Sequence, residues 1–162
     1  MNGREPFPRL VVRPATPDDI ARVTATYRRL SPESVYRRFF TSLPDPARFV
    51  ERQLALLDHH DHEALVVLDG DDVVAIAQWD RLGCCPDEAE MAITVEDAWQ
   101  HVGLGRELAR AIANDAHHHG VATLSASILT DNRAALGLAA RMRPASIDLD
   151  GSETHFTFPI AS

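Results

Sequence analysis

At 162 residues with a net charge of −8, 45% hydrophobic and 25% charged side chains, the chain has the length and composition of one ordinary globular domain. The acidic balance opposes an electrostatic grip on nucleic acid or on an anionic membrane, since both demand a basic face. The stretch from Met1 to Arg9 is polar and proline-containing, no apolar run reaches spanning length, and the adjacent Cys84 and Cys85 are ill placed for a relaxed disulfide, so a cytoplasmic protein with reduced thiols is expected.

Residues 9–13 (Arg-Leu-Val-Val-Arg) read as a short strand. Thr16-Pro17-Asp18-Asp19 follows with a cap residue, a proline at the first helical position and acids in the first turn, opening a helix to about Arg29. A second helix start stands at Ser31-Pro32-Glu33-Ser34. A third stands at Asp45-Pro46, ahead of Phe49, Leu54 and Leu57. Residues 64–68 and 73–79 are apolar runs joined by Asp69-Gly70-Asp71-Asp72, a hairpin signal. A loop over 82–87 leads to an alternating strand, 88–95. Leu104, Leu108, Ile112 and Ala116 lie four apart on one helical face, which Gly120 ends. Residues 121–129 form the next strand and 132–142 the next helix. A last hairpin joins Ile147-Asp148-Leu149 to residues 154–160 about Asp150-Gly151-Ser152. The order is α+β in character.

Between the alternating strand and the helix at Leu104 lies Gln100-His101-Val102-Gly103-Leu104-Gly105-Arg106. Two glycines let the backbone take conformations closed to other residues and let a ligand approach without a Cβ in the way. The unpaired amides of the next helical turn point at the same space, where the helix dipole favours negative charge. This is a diphosphate cradle. It lacks the Gly-Lys-Ser/Thr of a Walker loop and the third glycine of the dinucleotide fingerprint, and no Lys supplies a counter-ion, so backbone amides must do most of the binding.

Ala89-Glu90-Met91-Ala92-Ile93-Thr94-Val95, then Gln-x-x-Gly-x-Gly, a helix, a strand and Asp131-Asn132-Arg133-Ala134-Ala135, resembles the GNAT superfamily of acyl-CoA-dependent N-acetyltransferases. The resemblance covers nearly the whole chain and implies a GNAT-type mixed, mostly antiparallel sheet of about seven strands flanked by helices. It implies acetyl-CoA as co-substrate. The pyrophosphate would fall to Val102, Gly103, Leu104, Gly105 and Arg106, with Gln100 and His101 in the same turn. The pantetheine arm would fall to Ile93, Val95 and Asn132. Two departures stand out: Ala139 replaces the Tyr that many members use as general acid, and Arg143-Pro144 replaces the usual Gly-Phe. The general acid is thereby unassigned.

Acyl transfer needs a neutral amine, and a lysine ammonium has a reference pKa near ~10.4, so a base is required. Strand alternation puts Glu90 on one face with Ala92 and Thr94, where it is either a base that burial in a cleft would suit to proton transfer or a solvated carboxylate on the open face of an edge strand. The resemblance points to the same Glu. Glu88 and Glu96 are the fallbacks. A second segment, Leu30-Ser31-Pro32-Glu33-Ser34-Val35-Tyr36-Arg37-Arg38-Phe39-Phe40, is similar to one in the GNAT domain of bacterial protein lysine acetyltransferases, and so implies a protein lysine as acceptor. Relatives of that group also commonly lack the Tyr. Tyr36 and Phe39, with Phe40, either line an acceptor cleft or fill a core. Arg37 and Arg38 either meet an acidic substrate or face water. A small amine as acceptor, or a regulatory domain that binds acyl-CoA without turnover, are the other readings. The histidine groups 59, 60, 62 and 117–119 have no Cys or carboxylate at ligand spacing, so no metal is expected. Nothing in the sequence fixes the oligomeric state.

Overall fold

Seven strands hydrogen-bond into one sheet in the order β1-β2-β3-β4-β5-β7-β6, as described by a computed structural model over residues 9–160. The strands are β1 Leu10–Pro14, β2 His62–Asp69, β3 Asp72–Leu82, β4 Cys85–Val95, β5 Thr123–Leu129, β6 Ser146–Asp150 and β7 Glu153–Pro159. The helices are α1 Ile20–Arg29, α2 Pro32–Phe39, α3 Pro46–Ala55, α4 Leu104–His118 and α5 Arg133–Arg141. All pairings are antiparallel except β4 with β5. The expected α+β class and mostly antiparallel mixed sheet are what the chain adopts. Residues 1–8, on which the expectation of no leader rests, lie outside the described residues. No described helix is long and apolar enough to cross a membrane.

The apolar runs of β2 and β3 are continuous because both faces of the central sheet are covered. Ala64, Val66, Leu68, Val73 and Ile76 pack with Val23, Tyr27, Val50 and Leu54 of α1 and α3. Leu65, Val67, Ala75, Ala77 and Trp79 pack on the other face with Leu104, Leu108, Ile112 and Ala116 of α4, and with Phe156 and Phe158. Trp79 is fully buried, and its Nε1–H donates to Asp115 Oδ1 at 2.8 Å. Each large side chain so buried contributes roughly 1.5–3 kcal/mol, before the entropy of ordering it.

The caps act where the sequence places them. Ser31 Oγ accepts the Ser34 N–H at 3.2 Å and Asp45 Oδ1 accepts the Arg48 N–H at 3.1 Å. After Thr16 the chain first makes a short 3₁₀ turn, Pro17–Asp19, and α1 begins only at Ile20. Asp19 is the reason: fully buried, it accepts the Thr16 N–H at 2.9 Å and two bonds from Arg13 at 2.7 Å, which fixes the turn. The loop expected over 82–87 is mostly strand. Pairing of β3 with β4 continues to Leu82 and Cys85, leaving a two-residue turn at Gly83 and Cys84.

Candidate active site

β4 and β5 run side by side for only three register pairs, Glu88↔Thr123, Ala89↔Leu124 and Glu90↔Ser125, and then diverge. The gap opens into a cleft of about 790 Å³, a size that suits a bulky small-molecule ligand. Its walls are β4 from Glu90 to Val95, β5 from Ala126 to Ile128, α5 and the end of α2.

The orientation of the β4 backbone follows from its hydrogen bonds. The Glu96 N–H donates to Val74 O at 2.9 Å, and on the other edge Asp87 O accepts the Ala122 N–H at 2.8 Å. In an antiparallel ladder successive residues point their backbone groups to opposite edges. Met91, Ile93 and Val95 therefore aim N–H and C=O at β5, which has already turned away. The Met91 N–H still belongs to the β4–β5 ladder at Glu90↔Ser125, so among the described residues the groups left open to the cleft are the Met91 C=O, both groups of Ile93 and the Val95 N–H, a short ladder for an extended ligand that carries amides. Ile93 and Val95 were expected here; Met91 was missed, although the period of two alone predicts it. The Val95 carbonyl is already taken by Gln100 Nε2 at 3.0 Å.

Past β4 the chain makes a 3₁₀ turn, Asp97–Trp99, and enters the glycine turn. His101 and Gly103 both have left-handed backbones, at φ 63° and 94°. Among the described residues no protein acceptor meets the N–H groups of Val102, Gly103, Leu104 and Gly105, while the Arg106 N–H is turned back onto Gly103 O at 3.2 Å. Open amides at the start of a fifteen-residue helix make the expected anion cradle. Arg106 serves it through an exposed side chain at the cleft, not through its amide. The two glycines differ. Gly103 needs its positive φ; Gly105 does not, and a Cβ there would meet Leu138 Cδ2 at 3.7 Å and Val95 Cγ2 at 4.0 Å, which is ordinary contact. Gln100 is a brace: its side chain also donates to Ser34 Oγ at 3.2 Å, tying the turn to α2. The Leu104 side chain belongs to the core.

Among the described residues five arginines line the cleft, Arg37, Arg38, Arg106, Arg133 and Arg141, against one carboxylate, Glu90. A chain of net charge −8 thus gathers positive charge where the cradle opens. Arg133, Gly137 and Arg141 stand at helical spacing of four on the cleft side of α5, a signal readable in the sequence and overlooked there. The buried Nε of Arg38 has no hydrogen-bond partner among the described residues, and its guanidinium lies 4.8 Å from the Phe39 ring centre. Asn132 lines the cleft too; its Oδ1 caps α5 by accepting the Ala135 N–H at 3.2 Å, which leaves its NH₂ group for a ligand.

Glu90 stands on the cleft wall, as the alternation implies, but exposed to solvent, not in the buried setting expected of it. The reason is that α1 and α3 pack over β2 and β3, and Glu90 lies beyond the cluster they cover. Its register partner on β3 is Asp80, whose Oδ1 lies in hydrogen-bond contact with His62 Nδ1 at 2.8 Å. The fallbacks do not reach the cleft. Glu88 is exposed outside it, and Glu96 is bound to Arg29 at 2.9 and 3.0 Å. The two aromatic candidates part company. Phe39 stacks edge-on with Phe49 at 4.8 Å and tilts against Tyr27 at 5.6 Å, so it is largely core, though it also lines the cleft. Tyr36 is 52% exposed, outside the cleft lining. Ala139 is buried and has no proton to give. Among the described residues no three His, Cys, Asp or Glu side chains group to hold a metal ion.

A split parallel strand pair, an amide cradle at a helix start and a basic cleft define an acyl-CoA-binding domain, and the chain belongs to the acetyltransferase (GNAT) domain family, whose model matches residues 9–143. Among its relatives is the acetyltransferase Pat of Mycolicibacterium smegmatis, 36% identical over 125 residues, which are 76% of this chain and 37% of that protein. The chain therefore spans well under half the length of that relative. The crystal structure of the GNAT domain of S. lividans PAT is 30% identical, covers 91% of this chain and 89% of that one, and superposes with a TM-score of 0.84. The structure of yncA from Salmonella typhimurium, solved with its cofactor acetyl-CoA, shares the fold at 18% identity, 95% coverage of both chains and a TM-score of 0.75.

Proposed function

We propose that this domain moves the acetyl group of acetyl-CoA to an amine, the acceptor being a protein lysine, by direct attack with Glu90 as general base. One observation carries the reading: the open β4 edge between Met91 and Val95 runs from the open amides of Val102 to Gly105 at one end to Glu90, the sole carboxylate lining the cleft among the described residues, at the other. A pantetheine arm has amides to pair with that edge, and a diphosphate has charge for the cradle and its arginines. The thioester is then carried toward Glu90. The amine nitrogen attacks the carbonyl carbon, the Glu90 carboxylate takes the amine proton, and the C–S bond breaks with its electron pair left on sulfur.

The lysine acceptor is supported by the likeness of residues 30–40 to protein lysine acetyltransferases, joined to position. α2 ends at the cleft, and Glu90 stands exposed on its wall, which gives room for a chain too large to enter. Asp80 opposite Glu90 adds acidity that a basic acceptor would favour. Tyr36, exposed on α2, is the anchor on that approach. The test is to incubate the protein with labelled acetyl-CoA and, in parallel, a lysine-rich protein and a free polyamine. Label on protein lysine with thiol release is expected; label on the polyamine alone would overturn the acceptor class.

A further inference from the structure

Ser127 of β5 and His155 of β7 are register partners, and Ser127 Oγ lies 2.8 Å from His155 Nδ1. Ser127 also lines the cleft. Of the other hydroxyls nearby, Ser34 Oγ donates to Asp97 at 2.8 Å and Ser125 Oγ leans on Ala89 O at 3.5 Å, while Thr94, which also lines the cleft, is buried on β4. The pair belongs to no core, for Leu124 and Ala126 supply the buried face of β5 while Ser127 and His155 are only partly buried on the other.

Position gives the pair its meaning. Ser125 is level with Glu90 across the parallel pair, and Ser127 is two residues further on, about 6–7 Å along the strand at the usual rise. β4 and β5 run the same way, so that displacement is toward the cradle end of the cleft. A thioester whose carbonyl carbon sits near Glu90, with the body of coenzyme A in the cradle, has its sulfur on that same side. We propose that Ser127 is a catalytic residue whose hydroxyl donates a hydrogen bond to the departing sulfur, and that His155 is the positioning residue that holds it. This rests on the acetyl transfer proposed above. As the C–S bond breaks, its electron pair stays on sulfur; the Ser127 O–H shares that charge, and solvent supplies the thiol proton on release. His155 enters as the Nδ1–H tautomer, donating to Ser127 Oγ and leaving the hydroxyl hydrogen free to point into the cleft. The pair would stand in for the aromatic hydroxyl that Ala139 cannot supply.

The test is steady-state kinetics on Ser127→Ala, Ser127→Thr, His155→Ala and the double variant, with acetyl-CoA affinity by calorimetry. Ser127→Ala should lower kcat about a hundredfold to a thousandfold, the share of one charge-stabilising donor, with acetyl-CoA affinity held within about twofold. Ser127→Thr should restore most of the rate. The double variant should be no slower than Ser127→Ala, because His155 acts only through Ser127. Nitrogen-15 shifts should show His155 protonated at Nδ1. Unchanged kcat in Ser127→Ala, parallel loss of affinity, or a proton on Nε2 alone would overturn the inference. If the unmutated protein itself releases no thiol with any amine, the transfer reading fails and takes this one with it; turnover in the unmutated protein with Ser127→Ala equally fast sinks the Ser127 role alone.

Discussion

Asp97 holds Ser31 with both of its oxygens: Oδ2 accepts the Ser31 N–H at 3.0 Å and Oδ1 the Ser31 hydroxyl at 2.7 Å. The same Oδ1 takes the Ser34 hydroxyl at 2.8 Å, so a carboxylate from the end of β4 sits at the start of α2, where the helix dipole favours it. Burial pushes the Asp97 carboxyl up, but the bonds from Ser31 and Ser34 outweigh that and hold it below its ordinary value. Through Gln100, which reaches both Ser34 and Val95 O, the clamp also sets the glycine turn against α2.

Asp97→Ala is therefore expected to loosen α2 more than the sheet. Loss of charged hydrogen bonds at a solvent-exposed site costs about 1 kcal/mol in urea unfolding. The distinguishing measurement is the Michaelis constant for the acceptor, which should rise by a larger factor than the dissociation constant for acetyl-CoA. Equal changes in both would mean that α2 does not shape the acceptor side.

Gly103→Ala and Gly105→Ala should part. At Gly103 a side chain meets no neighbour but must adopt φ 94°, which costs on the order of 1–2 kcal/mol and disturbs the cradle amides. At Gly105 the added methyl makes ordinary contacts, so the fold should keep its stability within about 0.5 kcal/mol. Thermal unfolding and calorimetry with acetyl-CoA would check both. A Gly103→Ala protein with full affinity would move the phosphate site elsewhere.

Arg133→Ala with Arg141→Ala should weaken acetyl-CoA binding, and the loss should shrink as salt screens the remaining arginines. The fold should be little affected, because neither side chain has an ion-pair partner among the described residues. Affinity unchanged at low salt would leave the basic cleft without a role in binding.

Acid should unlock the α1 entrance. The Asp19 carboxyl is lowered to about 2, chiefly by the Arg13 bonds and against burial, with the Thr16 N–H helping. Its unfolded value is near ~3.9. A depressed folded value means stability that is full above the unfolded pKa and is lost as pH falls from about 4 through about 2, in total about 2 kcal/mol. Asp19→Asn should remove that part of the acid slope in denaturant melts run between those limits. A slope the same in both proteins would show that the bonds to Arg13 do not act in solution.

Much of this was legible from residues alone. The caps at Ser31 and Asp45, the hairpin at Gly70 and the helix face through Leu104, Leu108, Ile112 and Ala116 rest on local chemistry, and local chemistry decided them. The glycine turn was legible for the same reason. What escaped depends on tertiary placement. No spacing says that β5 leaves β4 after Ser125, and that divergence is what opens the β4 edge beyond the Met91 N–H and brings Ser127 to the cleft. The exposure of Glu90 was misjudged because covering helices are counted by topology, not by alternation. Glu96 looked free until Arg29, 67 residues away in sequence, closed on it.

The direct test of Glu90 is thiol release from acetyl-CoA with a lysine-bearing protein acceptor, compared between the unmutated protein and Glu90→Gln across pH. Glu90→Gln should bind acetyl-CoA with unchanged affinity and lose about a hundredfold to ten-thousandfold in kcat near neutral pH, the deficit narrowing as rising pH frees the amine without help. A Glu90→Gln protein within about twofold of the unmutated rate at neutral pH would contradict the assignment of Glu90 as the base.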